Sequence, residues 1–306
     1  MILLRKIFLN GNQLRAGWRL IIFCALVFVI GFAAQVLLSG VALPSYPGLH
    51  PVTLMVDDAV LLSVALAATA IMAKIERRTL ATYGLPRFRD LFGRLFWRGA
   101  VWGMGMTAIV ILLMFLAGGY RVAGLNLTGW ELTRFAVLWL VANLLIGLSE
   151  EILFRGYFLY TLADGLCFWP AVIVESVGFG ALHYFTKPNE RWEDWVAVSL
   201  LTVFATLALR RTGSLAFPIG MHAAFDFAFI YIFSGRNGGE LAVGRLLQAE
   251  FQGPQWLTGG LLGPEASWIT FVVSVAAILS LHFRYKEAKW PSREPQRVEQ
   301  SRSDRL

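Results

Sequence analysis

Eight apolar stretches dominate this chain, near residues 18–38, 55–74, 96–117, 134–161, 167–185, 193–210, 214–233 and 266–285. A hydrocarbon core about 30 Å thick takes about 20 apolar residues to cross as a helix. Each stretch reaches or approaches that length, so the expected fold is an all-α, polytopic membrane helix bundle of about eight transmembrane helices. Composition agrees. Only 15% of the 306 residues are charged, against about 25% in soluble domains, and mean hydropathy is +0.61. The net charge of +7 does not indicate nucleic-acid binding, because the basic residues sit between apolar runs and in the C-terminal tail.

Their placement instead sets an orientation. The 75–95 connection carries Arg77, Arg78, Arg87, Arg89 and Arg94, and Arg210-Arg211 mark the turn before the seventh stretch. With Arg5, Lys6 and Arg15 ahead of the first stretch, both termini are expected in the cytoplasm; Lys187 and Arg191 run against the pattern. The first stretch exceeds the roughly 7–15 residues of a signal sequence, so it is read as a retained helix. Residues 1–285 are expected to form one membrane-embedded domain, and 286–306 a polar, disordered cytoplasmic tail. The 234–265 connection is expected to fold onto the membrane surface. Cys24 and Cys167 are read as free thiols, and the expected location is the cell (plasma or inner) membrane.

Ionisable groups inside such runs are costly and mark function by default. Glu150 and Glu151 lie between Leu144-Leu145-Ile146-Gly147-Leu148 and Tyr157-Phe158. Glu151 and Arg155 are four apart and share a helix face, where they can pair. Glu150 points about 100° away and has no local counter-ion. Two further runs place His183 four residues after Phe179, and Asp226 four residues after His222. Polar groups on separate helices in lipid must find partners, and one buried cluster of Glu150, His183, His222 and Asp226 satisfies them together. Asn143 faces the same way as Glu150. Asp57 and Asp58 open the second stretch on its outer side and are expected in the headgroup region, and His50 and His282 are assigned to surface roles.

Glutamate with two histidines suits two mechanisms. Glu150, His183 and His222 could bind a catalytic zinc with an open position for water. Alternatively Glu150 is a general base on a water that His183 orients, with His222 beside the developing oxyanion. Spacing alone does not choose. Competing functions are a non-catalytic immunity or scaffold protein and an ion-coupled transporter; no inverted repeat supports the latter.

At these residues the chain resembles the CPBP family of intramembrane proteases, which includes the CAAX prenyl endopeptidases and the Abi or bacteriocin-immunity proteins. The family's marks stand here as Glu150-Glu151-Ile152-Leu153-Phe154-Arg155, Phe179 to His183, and His222 to Asp226. The resemblance covers roughly 134–233. It implies that Glu150 activates water with His183, that His222 and Asp226 lie on the oxyanion side, and that Glu151 with Arg155 is structural. It implies a membrane-anchored peptide or protein substrate and favours chemistry without a metal, zinc being the alternative.

Two points test this reading. Glu150 lies about 16 residues down the fourth stretch, roughly 24 Å at 1.5 Å per residue, while His183 lies about as far up the fifth. They meet only if the fourth helix starts above the core or tilts, or the fifth starts within the membrane. Glu175, on the stripe of Phe179 and His183, is expected either to glue the bundle or, with Asn143 and Phe179, to line the cavity and favour cationic substrates.

Overall fold

The computed structural model describes residues 9–10, 13–41, 46–186 and 191–290. Its main helices are α1 Ala16–Ser39, α2 Pro51–Glu76, α3 Arg94–Leu116 and α4 Gly129–Glu150. The chain continues from α4 through a π-helical segment, Glu151–Phe158, into α5 Leu159–Leu166. Then come α6 Phe168–Thr186, α7 Trp192–Thr212, α8 Ala216–Asp226 with a π-helical extension Phe227–Ile232, and α9 Trp268–Arg284. Helix therefore occurs at all eight apolar stretches.

Among the described residues, five helices are long and apolar enough to cross a membrane: 16–39, 51–76, 94–116, 129–166 and 192–212. The expectation of eight is met only in part, for physical reasons. The helices over 216–232 and 268–284 are shorter, about 25 Å at 1.5 Å per residue. In α6 the apolar run is broken by Glu175, Ser176 and His183.

One end of the bundle gathers the basic connections. Arg19 Nη1 lies 3.3 Å from Glu76 Oε2 and Arg78 Nε 3.5 Å from the same oxygen. The Leu215 N–H donates to the Gly84 carbonyl (2.8 Å). At this end the expected tail begins differently from the sequence reading. Lys289 and Trp290 N–H groups both donate to the Arg210 carbonyl (2.7 and 3.1 Å), and Trp290 Nε1 donates to Thr82 O (3.2 Å). Residues 286–290 are thus tied down by backbone pairing and a buried indole; Lys187 and 291–306 lie outside the described residues.

The other end is capped by protein. Strand β1, Tyr120–Leu125, pairs antiparallel with β2, Leu247–Phe251, with Tyr120 opposite Phe251. Trp139 Nε1 donates to Val243 O (2.9 Å) and Tyr231 to Leu132 O (3.2 Å). The 234–265 connection folds over the first half of α4, where its polar backbone finds partners. At the start of α2, His50 Nδ1 accepts the Val52 N–H (3.2 Å). Burial and the nearby Arg134 hold the His50 pKa below the usual histidine range, which keeps it an acceptor.

This cap resolves the depth problem. Ser149 Oγ donates to Asp58 Oδ1 (2.7 Å). Asp58 is only about 10 Å along α2 and Ser149 about 30 Å along α4, at 1.5 Å per residue. The fourth helix therefore starts well beyond the second, inside the cap, and its lower end meets the rest at mid-bundle.

Helix α8 lies at the centre, approached closely by two neighbours. A Cβ at Gly99 would lie 2.0 Å from the Phe217 carbonyl oxygen, and one at Gly103 2.1 Å from that of Met221. On the other side, a Cβ at Gly147 would lie 3.0 Å from Ile219 O. Small residues four apart let helix backbones meet in this way in lipid. The result fixes the height and rotation of His222 and Asp226.

Candidate active site

The Glu-Glu-x-x-x-Arg motif straddles the change from α4 to the π-helical segment. Such segments are rare and frequent at functional sites. Gly156, with φ −79° and ψ −115°, breaks the helix one residue after Arg155. Within this segment Arg155 is 2% exposed and Nη1 lies 3.3 Å from Glu151 Oε1. The pair is joined by a third residue, since Arg155 Nε is 3.2 Å from Glu175 Oε1. Arg155 Nη2 donates to Thr202 (2.7 Å), Thr206 donates to Glu175 Oε2 (3.2 Å), and the guanidinium sits 4.3 Å from the Phe179 ring centroid. One cation between two carboxylates, bonded from three helices, is how a buried charge is tolerated.

His222 joins this cluster to Glu150. Its Nδ1 lies 2.8 Å from Glu151 Oε1 and donates to it, while Nε2 lies 3.7 Å from Glu150 Oε2 and 3.4 Å from Asp226 Oδ2. Glu151 is therefore more than half of an ion pair: through Nδ1 it holds the ring orientation of His222. His183 donates from Nδ1 to its own-helix Phe179 carbonyl (3.1 Å), and the two rings are 4.5 Å apart. A cavity of about 170 Å³ is lined by Asp58, Glu150, Phe179, His183, His222 and Asp226, and reaches Asn237 and Glu265 under the cap.

The four residues read as a cluster thus share one cavity, as does Phe179. Two of the residues read as cavity-lining take other places. Asn143 is fully buried and donates to Trp139 O one turn back (2.7 Å). Glu175, 2% exposed, is a partner of Arg155 and is not on the cavity wall. Its stripe with Phe179 was legible, but not that Arg155 would reach across to it.

The sequence reading also misplaced Asp58, which is 8% exposed and lines the cavity rather than the headgroup region. The signal was present: Asp58 shares a stripe with Ala65, Ala68 and Met72 at helical spacing, the buried face of α2. Among the described residues no group of three His, Cys, Asp or Glu is placed to hold a metal ion; the Nδ1 atoms of His183 and His222 face protein oxygens, which leaves each Nε2 as the nitrogen that a zinc ion would take.

A helical membrane protein with a half-buried glutamate, two histidines and an aspartate around one cavity has the form of an intramembrane hydrolase. Residues 130–228 match the family model described as type II CAAX prenyl endopeptidase Rce1-like. The match bears out the resemblance drawn from the three motifs. The chain carries the region that marks the CAAX-protease branch of the CPBP family, and that family is one of membrane-embedded proteases. Among curated proteins none matches the chain.

Proposed function

We propose that this protein is an intramembrane endopeptidase that hydrolyses a peptide bond of a membrane-associated or lipid-modified substrate. The observation that carries the reading is the meeting of Glu150, His222 and Asp226 on one cavity wall, inside an apolar bundle, with His183 on the same cavity. Glu150 takes a proton from a water held with the help of His183, and the water oxygen bonds to the scissile carbonyl carbon. An imidazolium at His222 donates from both nitrogens, Nδ1 to Glu151 and Nε2 toward Asp226 and the forming oxyanion. The proton on Glu150 then passes to the amide nitrogen as the C–N bond breaks, leaving a carboxylate and an amine.

The prenylated CAAX type of substrate comes from the family description, and a membrane-anchored peptide fits a site reached from within a bundle of apolar helices. We place both termini in the cytoplasm, with eight crossings of the cell membrane. The gathering of Arg19, Arg78, Arg210 and Trp290 at one end of the bundle supports this orientation. No step runs through a metal, so turnover is expected to persist after exhaustive chelation.

The test is cleavage of a panel of vesicle-anchored peptides, farnesylated and unprenylated, in ¹⁸O-labelled water. The reading expects at least one peptide to be cut, with label in the new carboxylate. Absence of cleavage across the panel contradicts it.

A further inference from the structure

We propose that Asp58 is a positioning residue for the catalytic carboxylate, acting from α2 through Ser149. The proposal rests on the reading of Glu150 as the base. It reaches outside residues 130–228, since Asp58 belongs to the second helix.

Ser149 immediately precedes Glu150 and is fully buried. Its hydroxyl has one proton and two acceptors in reach, Asp58 Oδ1 at 2.7 Å and the Ile146 carbonyl, one turn back in its own helix, at 3.0 Å. The two bonds differ in consequence. The bond to Ile146 stays within α4 and leaves its rotation free. The bond to Asp58 ties α4 to α2 two residues before the π-helical segment begins. Each residue advances a helix by about 100°, so a small rotation at Ser149 swings Glu150 away from His222 Nε2. The contact of 3.7 Å is already near the limit of about 4 Å for an ion pair. Hydrogen bonds to a carboxylate are about twice as strong as neutral ones, so the proton belongs to Asp58.

The setting also shows why an aspartate stands there. Below Asp58, the buried face of α2 is built of small residues, Ala65, Ala68 and Thr69 among them. They pack where the π-helical segment continues α4. Asp58 is the polar group on that face at the height of the reaction centre, and it borders the same cavity as Glu150 and His222. A residue only gluing α2 to α4 could stand at any level of the seam; this one bonds to the residue next to the base.

The experiment compares Asp58→Ala, Asp58→Asn, Ser149→Ala and the double variant Asp58→Ala/Ser149→Ala on the best-cleaved vesicle-anchored peptide, with thermal unfolding measured in parallel. Misplacing a catalytic group by about 1 Å can cost about a hundredfold. Asp58→Ala and Ser149→Ala should each lower kcat at least about tenfold while KM stays within about threefold. The double variant should be no worse than either single one, because both remove one bond. Asp58→Asn keeps an acceptor oxygen for Ser149 and should retain most of kcat. Ser149→Ala removes one oxygen atom and reports even if Asp58→Ala fails to fold. Full kcat in Ser149→Ala, additive losses in the double variant, or an Asp58→Asn as inactive as Asp58→Ala overturns the proposal. Full activity of Glu150→Gln in the same assay overturns instead the reading on which it rests.

Discussion

Arg155 shows how residue-scale chemistry shapes this site. It is buried, it lies between Glu151 and Glu175, and Glu151 in turn holds His222. Removing it would leave Glu175 buried without its cation and Glu151 with His222 alone. Breaking a buried pair from one side costs about 3–5 kcal/mol, so Arg155→Ala should lower the unfolding midpoint steeply and recover little folded protein. Glu175→Gln leaves Arg155 its other carboxylate and should destabilise less, with no change in preference between cationic and neutral peptides. A stable Glu175→Gln protein with altered preference would return Glu175 to the cavity wall. At this scale the sequence was informative about identity and weak about partners. The three motifs marked Glu150, His183, His222 and Asp226 because charges inside apolar runs stand out. It missed the second carboxylate on Arg155, the bond from Glu151 to His222 and the place of Asp58, because all three join residues far apart in the chain.

Among the elements, α8 is the one that the others position. Gly99 and Gly103 of α3 let its backbone approach, and Gly103 sits against the turn that carries His222. In Gly103→Ala the new Cβ would fall 2.1 Å from Met221 O and 2.9 Å from Phe225 N. Both are backbone atoms, so the helix itself must move. An approximately 1 Å shift at a catalytic centre can cost about a hundredfold, and kcat is expected to fall at least tenfold. Gly105→Ala is the control, since nothing lies within 4 Å of a Cβ there, and its activity should equal that of the parent. Equal kinetics of the two variants would show that α8 is not held by this contact. Helix positions were readable from the apolar runs. The π-helical turn at 151–158 was not, because a change of helical period depends on tertiary contacts more than on composition.

At the scale of the whole molecule, the two ends of the bundle carry different structures. One end is capped by β1, β2 and the 234–265 connection over α4. The other is closed by the basic connections and by Trp290, 3% exposed, bonded to Thr82 and Arg210. Deleting a buried Trp side chain costs about 3–5 kcal/mol. A chain ending after Trp290 should unfold like the full protein, whereas one ending after Tyr285 should unfold at a clearly lower midpoint. Indistinguishable midpoints for the two truncations would show that residues 286–290 do not brace this end. Charge along the sequence anticipated the grouping of basic connections but not this docked segment. Its composition is polar, and apart from the Trp290 indole the contacts are made by its backbone groups.

The central claim is that Glu150 is the base of a peptide hydrolysis carried out within the bundle. Glu150→Gln preserves size and hydrogen bonding and removes only the proton acceptor. Reconstituted in vesicles with the best-cleaved peptide, it should fold and unfold as the parent does and turn over at least about a hundredfold more slowly. Undiminished turnover by folded Glu150→Gln protein would contradict the account.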